Sequence, residues 1–506
     1  MREDWVEIEL GKLCKFSQGV QVPKGKQYTE DIENRVRFLR IIDFTQGKDE
    51  PRYIDKPNDI NIVAKGDISM VRYGATTGFV CSGISGAIAN NIFRIIPEIN
   101  ISKRYLYFFL KSPIFYQMII SRIKGAAMPA ISFGLIKPII FPLPPLVEQK
   151  AIVKKIEELF SSLDSGIADL KKAQDQLIVY RQAVLKKAFE GELTKEWREK
   201  QTSLPSADEL LEQIKEERQK YQEQELSKWK DAVKLWKNEG ANDKKPAKPK
   251  FIKELISLTD DELEKLPTLN KYWHWVKADK IASHEASSLK AGPFGSSLKK
   301  EFYKESGYKI YGQEQVIANN HKIGYYYVNQ EKYDSLINCA VKPYDILISL
   351  VGTVGKVLVL PKDCEDGIIN PRLVKISLNK FYDSIFFKYY FESAFLKSLY
   401  SLKAHGATMD ILNLGIIKEL PYPLCSKQEQ HQIVQEIESR LSVCDNIEES
   451  IKESLEKAQA LRQSILKKAF EGKLLSEEEI TACKKHKDYQ PASVLLEKIK
   501  AENKQK

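Results

Sequence analysis

The sequence predicts a mixed α/β chain made of two tandem copies of one unit, a domain of short strands and helices followed by a long amphipathic helix. Three observations predict it: an internal repeat, a seven-residue apolar period in two proline-free stretches, and short apolar runs separated by Gly, Pro and Asn. The 506 residues exceed one ordinary core, and a composition of 43% hydrophobic and 29% charged residues can fold but is rich in charge. The net charge of +10, from 79 Lys and Arg against 69 Asp and Glu, suits a polyanionic partner only if the basic groups are clustered.

The repeat comes first. RQAVLKKAFEGEL at 181–193 returns as RQSILKKAFEGKL at 462–474, a displacement of 281 positions. The same displacement carries Glu148 and Gln149 onto Glu429 and Gln430, Asp164 onto Asp445, and Gly125-Ala126-x-Met128 onto Gly406-Ala407-x-Met409. With small shifts, Asp67-Ile68 and Gly74 fall on Asp345-Ile346 and Gly352, Asn90 on Asn370, and Trp5-Val6 on Trp275-Val276. Downstream, ADELLEQIKEE from 207 matches ASVLLEKIKAE from 492, so nearly the whole chain is a duplication, broken by an insert from about 218 to 270.

The long helices come next. From Val147 to Glu190 there is no proline, and Ile156, Leu163, Leu170, Leu177 and Val184 recur every seven residues; the second copy keeps Ile437, Cys444, Ile451, Ala458 and Ile465. Such a stripe marks a helix that packs along its length on another helix, and two matching rods in one chain favour an antiparallel pair. FPLPPL and PYPL precede the rods, and Gly191 and Gly472 follow them, as helix punctuation requires.

The preceding segments read as strands and turns: VRFLRIIDF, GDISMVRYG, NNIFRIIP, DILISLVG and KVLVLP. Helical patches, YLYFFLKSPIFYQMIISRI and SIFFKYYFESAFLKSLYSL, stand at equivalent places in both copies. The insert is a charged helix pattern followed by ANDKKPAKPK, a stretch expected to be a solvated linker.

Several function classes are excluded or disfavoured. The seven cysteines are scattered and never spaced C-x-x-C, which argues against a disulfide framework or zinc site and for a reducing compartment. MREDWVEIEL lacks the basic and apolar regions of a signal peptide, and no run of about 18 apolar residues follows, so the expectation is a cytoplasmic protein without membrane contact. NPRL at 370–373 lacks the second proline and aromatic ring of an amino-methyltransferase loop, and GTVGK at 352–356 lacks the first glycine and hydroxyl of a phosphate loop. The six histidines stand apart from carboxylates and cysteines at ligand spacing. No catalytic or metal-binding constellation is visible.

The duplication, the strings LPPLVEQKAIVKKIEEL and QEQHQIVQEIES, the GPFGSSLK turn at 292–299, and G-D-I followed by a glycine-containing turn together resemble the specificity subunits of type I restriction-modification enzymes. The resemblance implies two target recognition domains, 1–144 and 271–424. It also implies spacer helices within 145–195 and 425–475 that form an antiparallel coiled coil with pseudo-twofold symmetry, a helical Lys/Pro-rich linker at 196–270 and a tail at 476–506. Each domain would read one half of a bipartite site in double-stranded DNA. This chain would carry no cofactor; modification subunits would bring S-adenosylmethionine, and restriction subunits would bring ATP and Mg. Two alternatives stay open: a specificity subunit of another bipartite-site system, and a coiled-coil adaptor that binds proteins.

DNA contacts are expected at turns with basic, amide or aromatic groups. These are Lys24, Lys26, Arg72, Tyr73, Arg122 and Lys124 in the first copy, and Ser296, Ser297, Lys299, Gln313, Gln315, Lys356, Lys403 and His405 in the second. Lys and Arg would pair with phosphates, and Arg, Gln or Ser could read base edges. Tyr325, Tyr326 and Tyr327 have no counterpart triplet in the first copy, so the two halves should read different sequences.

Overall fold

The structure, a computed structural model, describes residues 2, 4–47, 49–97, 101–122, 130–240, 244–404 and 412–505. The chain forms two units: one holds residues 1–173 and 450–506, the other 174–449.

In the first unit, Val6–Glu9 pairs antiparallel with Ile140–Leu143. A four-stranded antiparallel sheet follows, in the order Cys14–Gln18, Ile92–Pro97, Ile68–Val71, Val80–Cys81. A second sheet orders Arg52–Asp55, Arg35–Leu39, Gly86–Ile88 and Ile62–Val63, with the middle pair parallel. Helices Lys103–Leu110 and Pro113–Ile120 begin at Ser102 and Ser112, whose hydroxyls accept the N–H three residues on. The expected strand VRFLRIIDF divides, because Asp43 accepts the Arg40 N–H in a capping box and starts a short helix at Ile41.

The second unit repeats this plan. His274–Val276 pairs with Tyr422–Leu424, the antiparallel sheet orders Leu289–Ala291, Leu373–Ile376, Ile346–Ser349 and Val357–Val359, and a three-stranded sheet orders Tyr327–Val328, Tyr308–Tyr311 and Gly367–Ile369. The ladder register corrects two sequence matches. Asn370 is the counterpart of Ala89, not of Asn90, since the Ala89 N–H bonds the Leu39 carbonyl as the Asn370 N–H bonds that of Tyr311. Val6 faces Leu143 and His274 faces Leu424, so Trp273, not Trp275, is the counterpart of Trp5. Both indoles are buried, Trp5 at 6% and Trp273 at 2% exposure.

The long helices are Leu146–Phe189 and Lys427–Phe470, each 44 residues and so about 66 Å long. Gly191 and Gly472, at φ +76° and +77°, close them, with the next N–H bonded back five residues to Lys187 and Lys468. In the first unit the start of one helix meets the end of the other. Ile152 and Ile156 join Ile465, Leu466, Ala469 and Phe470 in one core with Tyr105, Phe109 and Phe141. In the second unit the exchange is reversed, Val184, Leu185, Ala188 and Phe189 joining Ile433 and Ile437 around Phe386 and Tyr390. Within each unit the helix segments run antiparallel: Asp164 pairs with Arg462 and Arg181 with Asp445, while toward each helix start Lys155 meets Glu479 and Glu429 meets Arg198, both beyond the end of the other long helix. The Asp164–Arg462 and Arg181–Asp445 pairs are the same contact displaced by the repeat.

The Glu-Gln signature at the helix starts is structural. Gln149 accepts the Ser102 N–H and donates to the Pro144 carbonyl; Gln430 does the same with Asp383 and Cys425. Glu148 accepts from Trp5 Nε1 and Arg2, and burial pushes its carboxyl above the usual range despite them. Glu429 accepts instead from Thr194 and Arg198, while the Trp273 indole N–H has no partner among the described residues.

After Arg218 every described residue of the insert is half-buried or exposed, as in a solvated linker, but the insert is anchored at its start and folds back on itself. Helix Ala207–Asn238 places Leu210 and Ile214 in the second unit's core, as the tail places Leu495 and Ile499 in the first. The Lys/Pro stretch turns back along the helix, Trp229 Nε1 donating to the Pro246 carbonyl and Tyr221 lying edge-on to Phe251. Arg218, 6% exposed, donates to the Asp279 carbonyl at 2.5 Å. Arg218→Ala is expected to cost about 1.5–3 kcal/mol and to open the lysines between 244 and 253 to trypsin. Unchanged cleavage would show that Arg218 does not hold the insert.

Candidate nucleic-acid interface

Each antiparallel sheet carries a central hairpin started by the Asp of the D-I motif. Asp67 accepts the Ala64 N–H and Asp345 the Lys342 N–H, each closing a turn. Burial alone would raise the Asp67 carboxyl, but the Ala64 N–H, Lys103 and Arg94 hold it below its usual value. At the equivalent place Asp345 faces Lys375 at 3.9 Å, and burial moves both toward their neutral forms. The motif therefore fixes the hairpin base rather than touching a ligand. At the tips, Gly74 and Gly78 (φ +111°, +85°) and Gly352 and Gly355 (φ +73°, +76°) take conformations that only glycine adopts freely.

The basic turns predicted in the two copies prove to be the same turn. Gly19 donates to the Ile92 carbonyl and Gly292 to the Leu373 carbonyl as the chain leaves the sheet. A Cβ would lie 2.2 Å from the Ala89 carbonyl oxygen at Gly19 and 1.8 Å from that of Asn370 at Gly292, so only glycine passes there. Beyond these crossings Lys24 and Lys26 bound one exposed 3-10 turn, and Ser296 and half-buried Ser297 occupy the other, with exposed Lys299 two residues on and Phe294 before it at 88% exposure.

At the first hairpin Arg72 is half-buried with Nη1 on Gln18 Oε1 at 2.9 Å, and Tyr73 is 39% exposed. Arg122 is exposed after the second short helix. Lys124 and His405 lie outside the described residues, as do both Gly-Ala-x-Met strings and the Lys403 side chain. Lys356 is exposed on the second hairpin. Gln313 joins Lys300, Tyr303, Tyr326, Asn370 and Arg372 around a cavity of about 520 Å³ that Glu314 also lines.

Gln315 corrects the sequence reading. It is 0% exposed, its Oε1 accepts the Gly312 N–H and its Nε2 donates to the Ile323 carbonyl, so it caps the helix Gln313–Ile317 as Asp43 caps its counterpart. Fully buried, its amide is out of a base's reach. Two features were missed in the sequence. Arg372, in the NPRL string, stands exposed over Gln313. Arg35 and Arg37 alternate with inward-facing Val36 and Phe38, and Arg35 lies over the Tyr28 ring at 3.6 Å, a basic and aromatic sheet face. Alternation of Arg with apolar residues in RVRFLR was the available signal.

The family model described as Type I restriction modification DNA specificity domain matches residues 2–172 and 294–457, each span containing one Asp-based hairpin and the start of one long helix. The chain belongs to this DNA specificity family. Among specificity-family relatives, the chain is 25% identical over 510 residues to the Type I restriction enzyme EcoDI specificity subunit of Escherichia coli, covering 99% of this chain and 95% of that one. It is 23% identical to the EcoBI specificity subunit of Escherichia coli over 99% of this chain and 93% of the other. Among solved structures, the HsdS subunit from Thermoanaerobacter tengcongensis shares the fold at TM-score 0.52 and 15% identity, covering 94% of this chain and 98% of that one. A chain from work on complex assembly and conformational transition of the type I R-M system gives 0.61 at 16% identity, with 94% and 99% covered. Among the described residues no helix of this specificity protein is long and apolar enough to cross a membrane.

Proposed function

We propose that the chain reads DNA for a type I restriction-modification complex and performs no catalytic step itself. Each recognition domain reads one half of a bipartite, asymmetric target, and partner modification and restriction subunits methylate adenine or cleave. Those partners supply S-adenosylmethionine, ATP and Mg. The observation that carries this reading is the duplication of one scaffold, an Asp-fixed hairpin beside a glycine-gated basic turn, with different side chains at the two tips: Arg72 and Tyr73 in one, Val351 and Lys356 in the other. A common scaffold with unlike tips suits two readers of unlike sequences. The long helices serve as the spacer between half-sites and as the dock for modification subunits.

Two experiments test the reading. Purified alone, the chain is expected to methylate no DNA, and mixed with its modification partner to direct methylation to one sequence; methyl transfer by the isolated chain would overturn it. One added heptad near Leu170, with a matching one near Ile451, lengthens the rods by about 10 Å, or about 3 base pairs of rise. Methylome sequencing should then show a longer spacer between unchanged half-sites. Altered half-sites with the old spacer would sink the spacer assignment.

A further inference from the structure

Both recognition domains hold an arginine braced by a glutamine at the hairpin tip, and the two couples are built from positions that do not correspond. In the first domain Gln18 Nε2 donates to the Asn90 carbonyl, which turns Oε1 toward Arg72 Nη1. In the second, Gln313 Nε2 donates to the Val351 carbonyl and, at 3.1 Å, to Ser349 Oγ, which turns Oε1 toward Arg372 Nη1 at 3.4 Å. The ladders align Gln18 with Ala291 and Arg72 with Leu350. They align Gln313 with Ile41 and Arg372 with Asn91, since the Arg72 N–H bonds the Asn91 carbonyl as the Leu350 N–H bonds that of Arg372. Duplication therefore did not copy the couple. Each domain assembles it separately, at the same place, where the central strand enters its hairpin.

The partner's chemistry sets what such an arginine can do. Arg94 faces Asp67, and Arg37 and Arg40 face Asp43, so their charges are matched within the domain. Arg72 and Arg372 have no carboxylate at ion-pair distance among the described residues, and the neutral amide fixes the guanidinium without cancelling its charge. One of five donors is used for bracing, which leaves the other N–H groups of a half-buried Arg72 and an exposed Arg372 for a ligand. A fork with full charge and fixed orientation matches paired acceptors, and in the major groove guanine N7 and O6 supply them. Two phosphate oxygens would match the same fork, and the readout separates the two ligands: loss of a phosphate contact weakens binding alike on all sequences, loss of a guanine contact at one position only.

We propose that Arg72 and Arg372 each read one guanine, one in each half-site, and that Gln18 and Gln313 position them. This rests on the DNA-reading role above. The test uses the full chain assembled with its modification partner and a randomised DNA pool, with methylated products sequenced. Arg372→Lys keeps the charge and loses the fork; it should lower the preference for guanine at one position of one half-site by about 10- to 100-fold and leave the other half-site intact. Arg72→Lys should do the same in the other half-site. Gln313→Ala and Gln18→Ala should relax the same positions as their arginines by a smaller factor, at unchanged melting temperature, which a merely structural role would not produce. Equal weakening on all sequences, changes in both half-sites at once, or an unchanged motif would each overturn the assignment. A wild-type complex without sequence preference would overturn the DNA-reading role and this assignment together.

Discussion

Phe470→Ala is expected to destabilise the first unit by about 3–5 kcal/mol, the cost of emptying a buried aromatic site. The ring is 4% exposed, at 5.1 Å from Tyr105 and 5.3 Å from Phe109, so no water replaces it and the surrounding rings cannot close the space without moving a helix. Phe189→Ala should cost the second unit as much, since Phe189 meets Phe386 and Tyr390 at 5.3 and 5.1 Å. Hydrogen exchange distinguishes the two: Phe470→Ala should strip protection from Lys103–Leu110 while Ser384–Phe391 keeps it. A loss below about 1 kcal/mol, or one shared evenly by both units, would contradict this division of the core.

Arg198→Ala is expected to cost about 3–5 kcal/mol, because it strands a buried carboxylate. Glu429 is 0% exposed; Arg198 Nε meets its Oε1 at 2.8 Å, Thr194 Oγ1 shares that oxygen, and Oε2 has no partner among the described residues. Glu429→Gln removes the charge and keeps an acceptor, so it should cost less, and combined with Arg198→Ala it should recover much of the loss. Urea melts of the three variants measure the coupling. If Arg198→Ala costs no more than Glu429→Gln, the pair does not carry that weight.

The repeat and the rods were legible because an ungapped displacement and a seven-residue stripe survive any surface change: Ile156, Val184, Ile437, Cys444, Ile451 and Ile465 of the stripe are buried, and Leu163, Leu170, Leu177 and Ala458 are half-buried. The sheets were legible from their apolar runs. Three things were not. YWHWV offers two tryptophans on one face of a strand, and matching chose the one followed by Val; only hydrogen-bond register separates them. A glutamine in a turn serves equally well to cap a helix or to read a base, so Gln315 and Gln313 look alike until burial tells them apart. Tyr221, Trp229 and Phe251, which fold the insert onto its domain, are diluted by the lysines around them.

The exchange of helix ends also orders the birth of the protein. A ribosome that has made residues 1–449 has made every residue of the second unit, whereas the first still waits for Ile465, Leu466, Phe470, Leu495 and Ile499. The domain synthesised first is thus completed last, and until then its apolar face around Tyr105 and Phe109 stays open to chaperones, or to the same face on a neighbouring nascent chain.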